Sequence, residues 1–199
     1  DESLSQVGRS GVRILGATPE EREKLDDILS KLPRADRDAI QFVAMADENL
    51  ATFVEGDNKV QVRNTSVEMS GMDPSDPKNR GQIVLIRSQF ASPIGTAVFL
   101  EELGHAVDFA YGITADKTGP WGQPPFLNPQ ISERIEDFAY SYMAYHGDKF
   151  QDSVLQNLAE HIRTKMPEKF AAIQEHEDNP GEMMDNKIHG SGGPFWWWR

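Results

Sequence analysis

Phe99-Leu-Glu-Glu-Leu-Gly-His-Ala-Val-Asp-Phe109 is the stretch on which the reading of this chain turns. Phe99, Leu100, Leu103 and Val107 recur at the three-and-four spacing of a helix with one buried side, and Phe109 adds to its apolar surface. On an α-helix, positions four apart lie about 40° apart in projection. Glu101 and His105 therefore converge on one point, and Glu102 stands beside them. Gly104, Ala106 and Val107 keep the neighbouring surface small enough for tight packing. Ser92-Pro93 opens this helix, which runs to about Tyr111 with Gly112 as its C-cap.

The pattern E-E-x-x-H differs by one letter from H-E-x-x-H, in which two His hold a metal and the Glu activates water. Carboxylate oxygen is an accepted zinc donor, so the geometry survives the change of first ligand. Two Glu and one His would make a three-ligand site with an open position, for zinc or another divalent metal. It would be more negative than the usual site, more favourable to hard metals, and less able to acidify a bound water. The pattern also has a plain reading: paired Glu in mid-helix are common on solvated faces. Asp108, three residues past His105, is either a partner for the other ring N–H of that histidine or a surface acid.

Working outward, residues 1–17 are polar and Gly-containing around a Val12–Leu15 patch, and read as a tail or lead-in strand. Thr18-Pro-Glu-Glu opens a helix with Leu25, Ile28, Leu29 and Leu32 on one side, closed by Pro33. Ile40–Ala46 reads as a strand. Thr52–Glu55 and Lys59–Arg63 read as a hairpin around Gly-Asp-Asn. Gln82–Arg87 is the clearest strand and feeds into the motif helix. Residues 113–130 hold four prolines around Trp121 and read as an irregular loop, either lining a cleft or covering the core. Ser132 caps a second long helix through about His146. Two more follow, Asp152–Lys165 and Glu168–Glu177, split at Pro167. The order predicts an α+β fold, with a small mixed sheet packed on the motif helix and a mostly helical C-terminal half. The domain spans 18–178, flanked by tails 1–17 and 179–199.

A third ligand is expected from the second helix, which offers Glu133, Glu136 and Asp137. Glu136 shares a stripe with Ala139, Tyr140 and Met143 and is preferred; Glu133 is the fallback, or simply a helix-start acid. Tyr140, Tyr142 or Tyr111 could supply a phenol to an oxyanion, though each also serves as a packing aromatic. His146, His161, His176 and His189 carry no motif and are assigned no chemistry. Glu102-x-x-His105 matches half of a di-iron carboxylate pattern, but no second E-x-x-H exists. Gly112–Thr118 fails as a phosphate loop because Asp116 stands where Gly must precede Lys.

The 199 residues, 38% hydrophobic and 26% charged, suit one domain with a real core. A net charge of −12 argues against nucleic acid and anionic membranes as partners. The absence of cysteine excludes disulfides and thiol nucleophiles, and fits a secreted or translocated bacterial protein, an effector or toxin among them. No apolar run approaches the roughly 18 residues of a membrane span. The chain begins at Asp1 without Met or leader, as expected of a mature or trimmed form. Phe195, Trp196, Trp197 and Trp198 at the C-terminus either dock back on the domain or contact a partner or a membrane interface.

The block Gln82–Ile86, Val98–Asp108 and Ile135-Glu-Asp-Phe-Ala139 resembles the gluzincin metalloproteases. Within them it is most similar to the anthrax-toxin lethal-factor-like family, which includes the Pro-Pro endopeptidases. The resemblance covers about residues 20–150. It implies a zincin-like domain and a metal-dependent peptidase acting on a protein or peptide. It also implies Glu102 as the general base, His105 as a zinc ligand and Glu136 as the third ligand. Glu101 stands where the family has its first zinc His, and Tyr140 where it has a second, supporting Glu. The family's Tyr before the second helix is replaced by Asn128-Pro129. These departures set a second expectation: a catalytically inactive scaffold serving as a protein-binding module.

Overall fold

Thr18 starts the first helix by a reciprocal cap. Its Oγ1 accepts from Glu21 N at 3.2 Å, and Glu21 Oε2 accepts from Thr18 N at 2.8 Å, with Pro19 at the first helical position. In this computed structural model, which describes residues 5–47, 50–55, 58–63, 81–115, 117–128 and 133–181, that helix is α1 (Pro19–Ser30). Leu25, Ile28 and Leu29 on its inner side are fully buried in the main core. The short α2 (Arg34–Asp38) follows.

The strands before and after α1 join one sheet. β1 (Ser5–Val7) pairs antiparallel with β2 (Arg13–Leu15); β2 pairs parallel with β3 (Phe42–Ala46), and β3 parallel with β6 (Gln82–Ile86). The 1–17 stretch is thus not all tail, since Ile14 is completely buried and strand-paired with Val43. β4 (Leu50–Glu55) and β5 (Asn58–Arg63) form a separate antiparallel pair, at the place where a hairpin is expected.

Alternation along β3 and β6 sorts the side chains to two faces. Val43, Met45, Ile83 and Leu85 enter the main core, while Ala44, Ala46, Val84 and Ile86 form a second apolar cluster with Leu15 and Phe42. Burial on both faces suits parallel strands and explains why Gln82–Ile86 reads as a continuous apolar run.

After β6 the described chain is helical or irregular, so the architecture is α+β with its strands in the first half. α3 (Arg87–Phe90) comes directly off β6, and Ser92 Oγ donates to Gln89 O. The motif helix α4 then begins at Gly95 rather than at Ser92-Pro93, and ends at Tyr111. Gly112 caps it at φ 67°, the left-handed conformation that glycine adopts at least cost. α5 (Arg134–His146), α6 (Ser153–Lys165) and α7 (Pro167–Asp178) complete the order. Glu133 stands at the N-cap of α5; the expected cap Ser132 lies outside the described residues.

The irregular segment between α4 and α5 is fastened by polar contacts. Trp121 is buried against Phe138, ring centroids 4.9 Å apart and nearly perpendicular. The Lys169 ammonium, on α7 and fully enclosed, donates to both Asp137 oxygens at 2.8 Å and to the carbonyls of Gln123 and Pro125. Gly122 N donates to Asp137 Oδ2 as well. Trp121 is therefore part of the core. Among the described residues no helix is long and apolar enough to cross a membrane.

Candidate metal centre

α4 and α5 lie close because Gly104 has no side chain. A Cβ there would stand 2.9 Å from Ala139 Cα and 3.2 Å from both Ala139 O and Tyr142 Cβ. Glu101 and His105, on the turn around that contact, consequently face Glu136, one turn before Ala139. Glu101, His105 and Glu136 each place a donor atom within 4.8 Å of the other two. His105 Nε2 is 3.7 Å from Glu136 Oε1. Ligands held at 2.0–2.2 Å around a tetrahedral ion lie about 3.3–3.6 Å apart, so this spacing is close to that of a closed site. The three residues chosen from sequence as metal ligands are thus brought together.

The electrostatics of the group favour a cation. Burial, and then the neighbouring Glu136 charge, push the Glu101 carboxyl up to about 7. Glu136 is raised by burial and by Glu133. Burial pushes His105 down to about 4, so its imidazole is neutral at physiological pH and its approach to Glu136 is not an ion pair. Two carboxyl groups, both raised chiefly by burial, beside a neutral imidazole form a donor set whose charged form a divalent ion would stabilise.

The remaining candidates divide. Glu102 is buried on α4, one residue from Glu101. Tyr140, half-buried, is raised by burial and feels the charges of Glu101, Glu136 and Glu102, while a hydrogen bond with Asn128 opposes the shift. Its phenol therefore belongs to this group. Tyr142 and Tyr111 do not: Tyr142 donates to Asp36 Oδ2 at 2.5 Å and Tyr111 to Ala35 O at 3.0 Å. Asp137 is bound to Lys169, and Glu133 is exposed at the helix start.

Asp108, read as either a partner for His105 or a surface acid, is buried, and the hydrogen bonds found on it lead to Thr114. Its two oxygens accept from Thr114 N and Thr114 Oγ1, each at 2.7 Å, so the hydrogen bonds found on it tie the end of α4 to the next turn rather than orient His105. Burial still holds its carboxyl up at about 6.

Two histidines without a motif, His146 and His176, are buried beside Asp36. Only their position on the apolar stripes of α5 and α7 could have marked them in the sequence. His161 is exposed, whereas His189 and Phe195, Trp196, Trp197 and Trp198 lie outside the described residues. No family model matches this chain, and no curated protein matches it significantly.

Proposed function

We propose that the protein is a metal-dependent peptidase of the lethal-factor-like, zincin type, or a close variant of one. One observation carries the reading: Glu101, His105 and Glu136 bring three donor atoms within 4.8 Å of one another across α4 and α5. The peptide substrate is inferred from the resemblance of residues 98–108 and 135–139 to that family. A zinc or other divalent ion, when bound, supplies Lewis acidity toward a carbonyl and a water at its open position.

The chain's own residues do the rest. His105, neutral because it is buried, offers a lone pair rather than a proton. Glu102 takes the proton of the attacking water and passes it to the leaving amine. The Tyr140 phenol, beside three carboxyl groups, donates to the oxygen that gains charge in the tetrahedral state.

The experiment is elemental analysis of the purified full chain together with digestion of a peptide library. Binding of a divalent ion at micromolar levels is expected, with cleavage that Glu102→Gln reduces by roughly 10²–10⁴-fold while ion binding persists. A chain that takes up no ion sinks the proposal.

A second reading, an inactive binding module on the same scaffold, draws on the position of Glu101. With its carboxyl near 7, a proton competes with the ion at neutral pH. Glu101→His separates the readings: an inert wild type whose variant binds zinc and cleaves peptides is a retired enzyme.

A further inference from the structure

A second convergence of donors lies on another side of α5. Asp36 of α2, His146 at the end of α5 and Glu177 of α7 each place a donor atom within 4.8 Å of the other two. Unlike the first group it is deeply enclosed: the Asp36 and His146 side chains are fully buried, and that of Glu177 is 18% exposed. Among the described residues, His146 Nε2 has no hydrogen-bond partner. It faces Asp36 Oδ2 at 3.7 Å, too far for a hydrogen bond and close to the separation of two ligands on one ion. Glu177 Oε1 is 3.7 Å from the ring's other nitrogen, Nδ1, and one ion would take a single nitrogen of the ring. His176 Nε2 stands 3.3 Å from Asp36 Oδ1, available as a further nitrogen.

We propose that Asp36, His146 and Glu177, with His176 beside them, form a second divalent-cation site, structural in role, that ties α2 to the ends of α5 and α7. The buried unpartnered nitrogen distinguishes it from an ordinary polar cluster, because leaving such an atom without a partner is costly in a folded protein. Burial, Lys149 and His176 together hold His146 far below its usual range, so the ring is neutral and able to ligate.

Lys149 is the built-in competitor. Its ammonium lies 2.9 Å from His146 Nδ1 and 3.0 Å from Glu177 Oε1, where it supplies positive charge in the absence of an ion. Its side chain is 31% exposed, so it can swing outward when the ion enters. Tyr142 and Tyr145 each donate to one carboxylate of the pair, at 2.5 and 2.8 Å, and hold Asp36 and Glu177 in place.

The test uses the full chain carrying Glu101→Gln and Glu136→Gln, which disables the α4–α5 site and makes the two proposals separable. Equilibrium dialysis against Zn2+ and Co2+ should leave one ion bound per chain in that background, with a rise in Tm on ion addition. Lys149→Met, which removes a competing charge without touching a ligand, should tighten that binding by about tenfold or more. His146→Gln should abolish it; if that variant fails to fold, Lys149→Met still decides. No bound ion in the disabled background, with or without Lys149→Met, overturns the site, and so does an ion retained by a folded His146→Gln chain.

Discussion

Glu101 and His105 titrate in opposite senses, so their contributions to the stability of the metal-free protein partly mask each other. Glu101 rises from 4.5 to about 7 on folding, so the folded state holds an extra proton between those values. Its contribution to stability is full below 4.5 and is lost as pH climbs through 7. His105 falls from 6.5 to about 4, so its contribution is full above 6.5 and is lost as pH drops toward 4. The two slopes oppose each other between about 4.5 and 6.5. Glu101→Gln should unmask the histidine: Tm of the metal-free variant, measured across that window, should fall as pH falls more steeply than in wild type. Ion affinity should follow Glu101 instead, weakening by up to about tenfold per pH unit below 7 as a proton must leave. Calorimetric titration at several pH values measures that slope.

At the scale of elements, the α4–α5 contact sets the site. Gly104→Ala places a methyl group against Ala139 backbone and should cost about 1–3 kcal/mol through overpacking. Because the two helices carry the proposed ligands, ion affinity should drop with it, whereas an alanine on an exposed helix face would leave affinity alone. Thermal melts with and without ion separate the two effects.

Much of this was legible beforehand. The spacing of Glu101 and His105 put them on one helix face, and the small residue before His105 pointed to a close neighbour. The stripe of Glu136, Ala139 and Tyr140 selected the partner face. Asp108 was less legible, because helix periodicity says nothing of the turn that follows a C-cap, and Thr114 comes from that turn. The pocket around Asp36 was invisible for a related reason: its members come from α2, α5 and α7, with no local spacing to link them.

Across the whole molecule, the sheet, the helices and the irregular segment share one core, so disturbances at a distance should be felt globally. Lys169→Met tests this. It leaves Asp137 charged and enclosed, and should cost about 3–5 kcal/mol in denaturant unfolding. The double change with Asp137→Leu should recover a good part of that loss, because no charge then remains buried. A single variant that unfolds like wild type would mean that water reaches the pair. Of the two readings of residues 1–17, a tail or a lead-in strand, the strand holds for Arg13–Leu15, which pairs with β3 and buries Ile14; the apolar run there is too short to decide between them from sequence.

The carboxyl groups of Glu101 and Glu136 flank the proline-bearing 113–130 stretch on either side. An ion gripping both would clasp the ends of that excursion, as a covalent bridge does in chains that possess sulfur. For a protein without a single thiol, the bound cation would then double as a cross-link. Chelation should accordingly make the bond after Lys117, the basic residue within that stretch, an easier target for trypsin, well before the rest of the molecule comes apart.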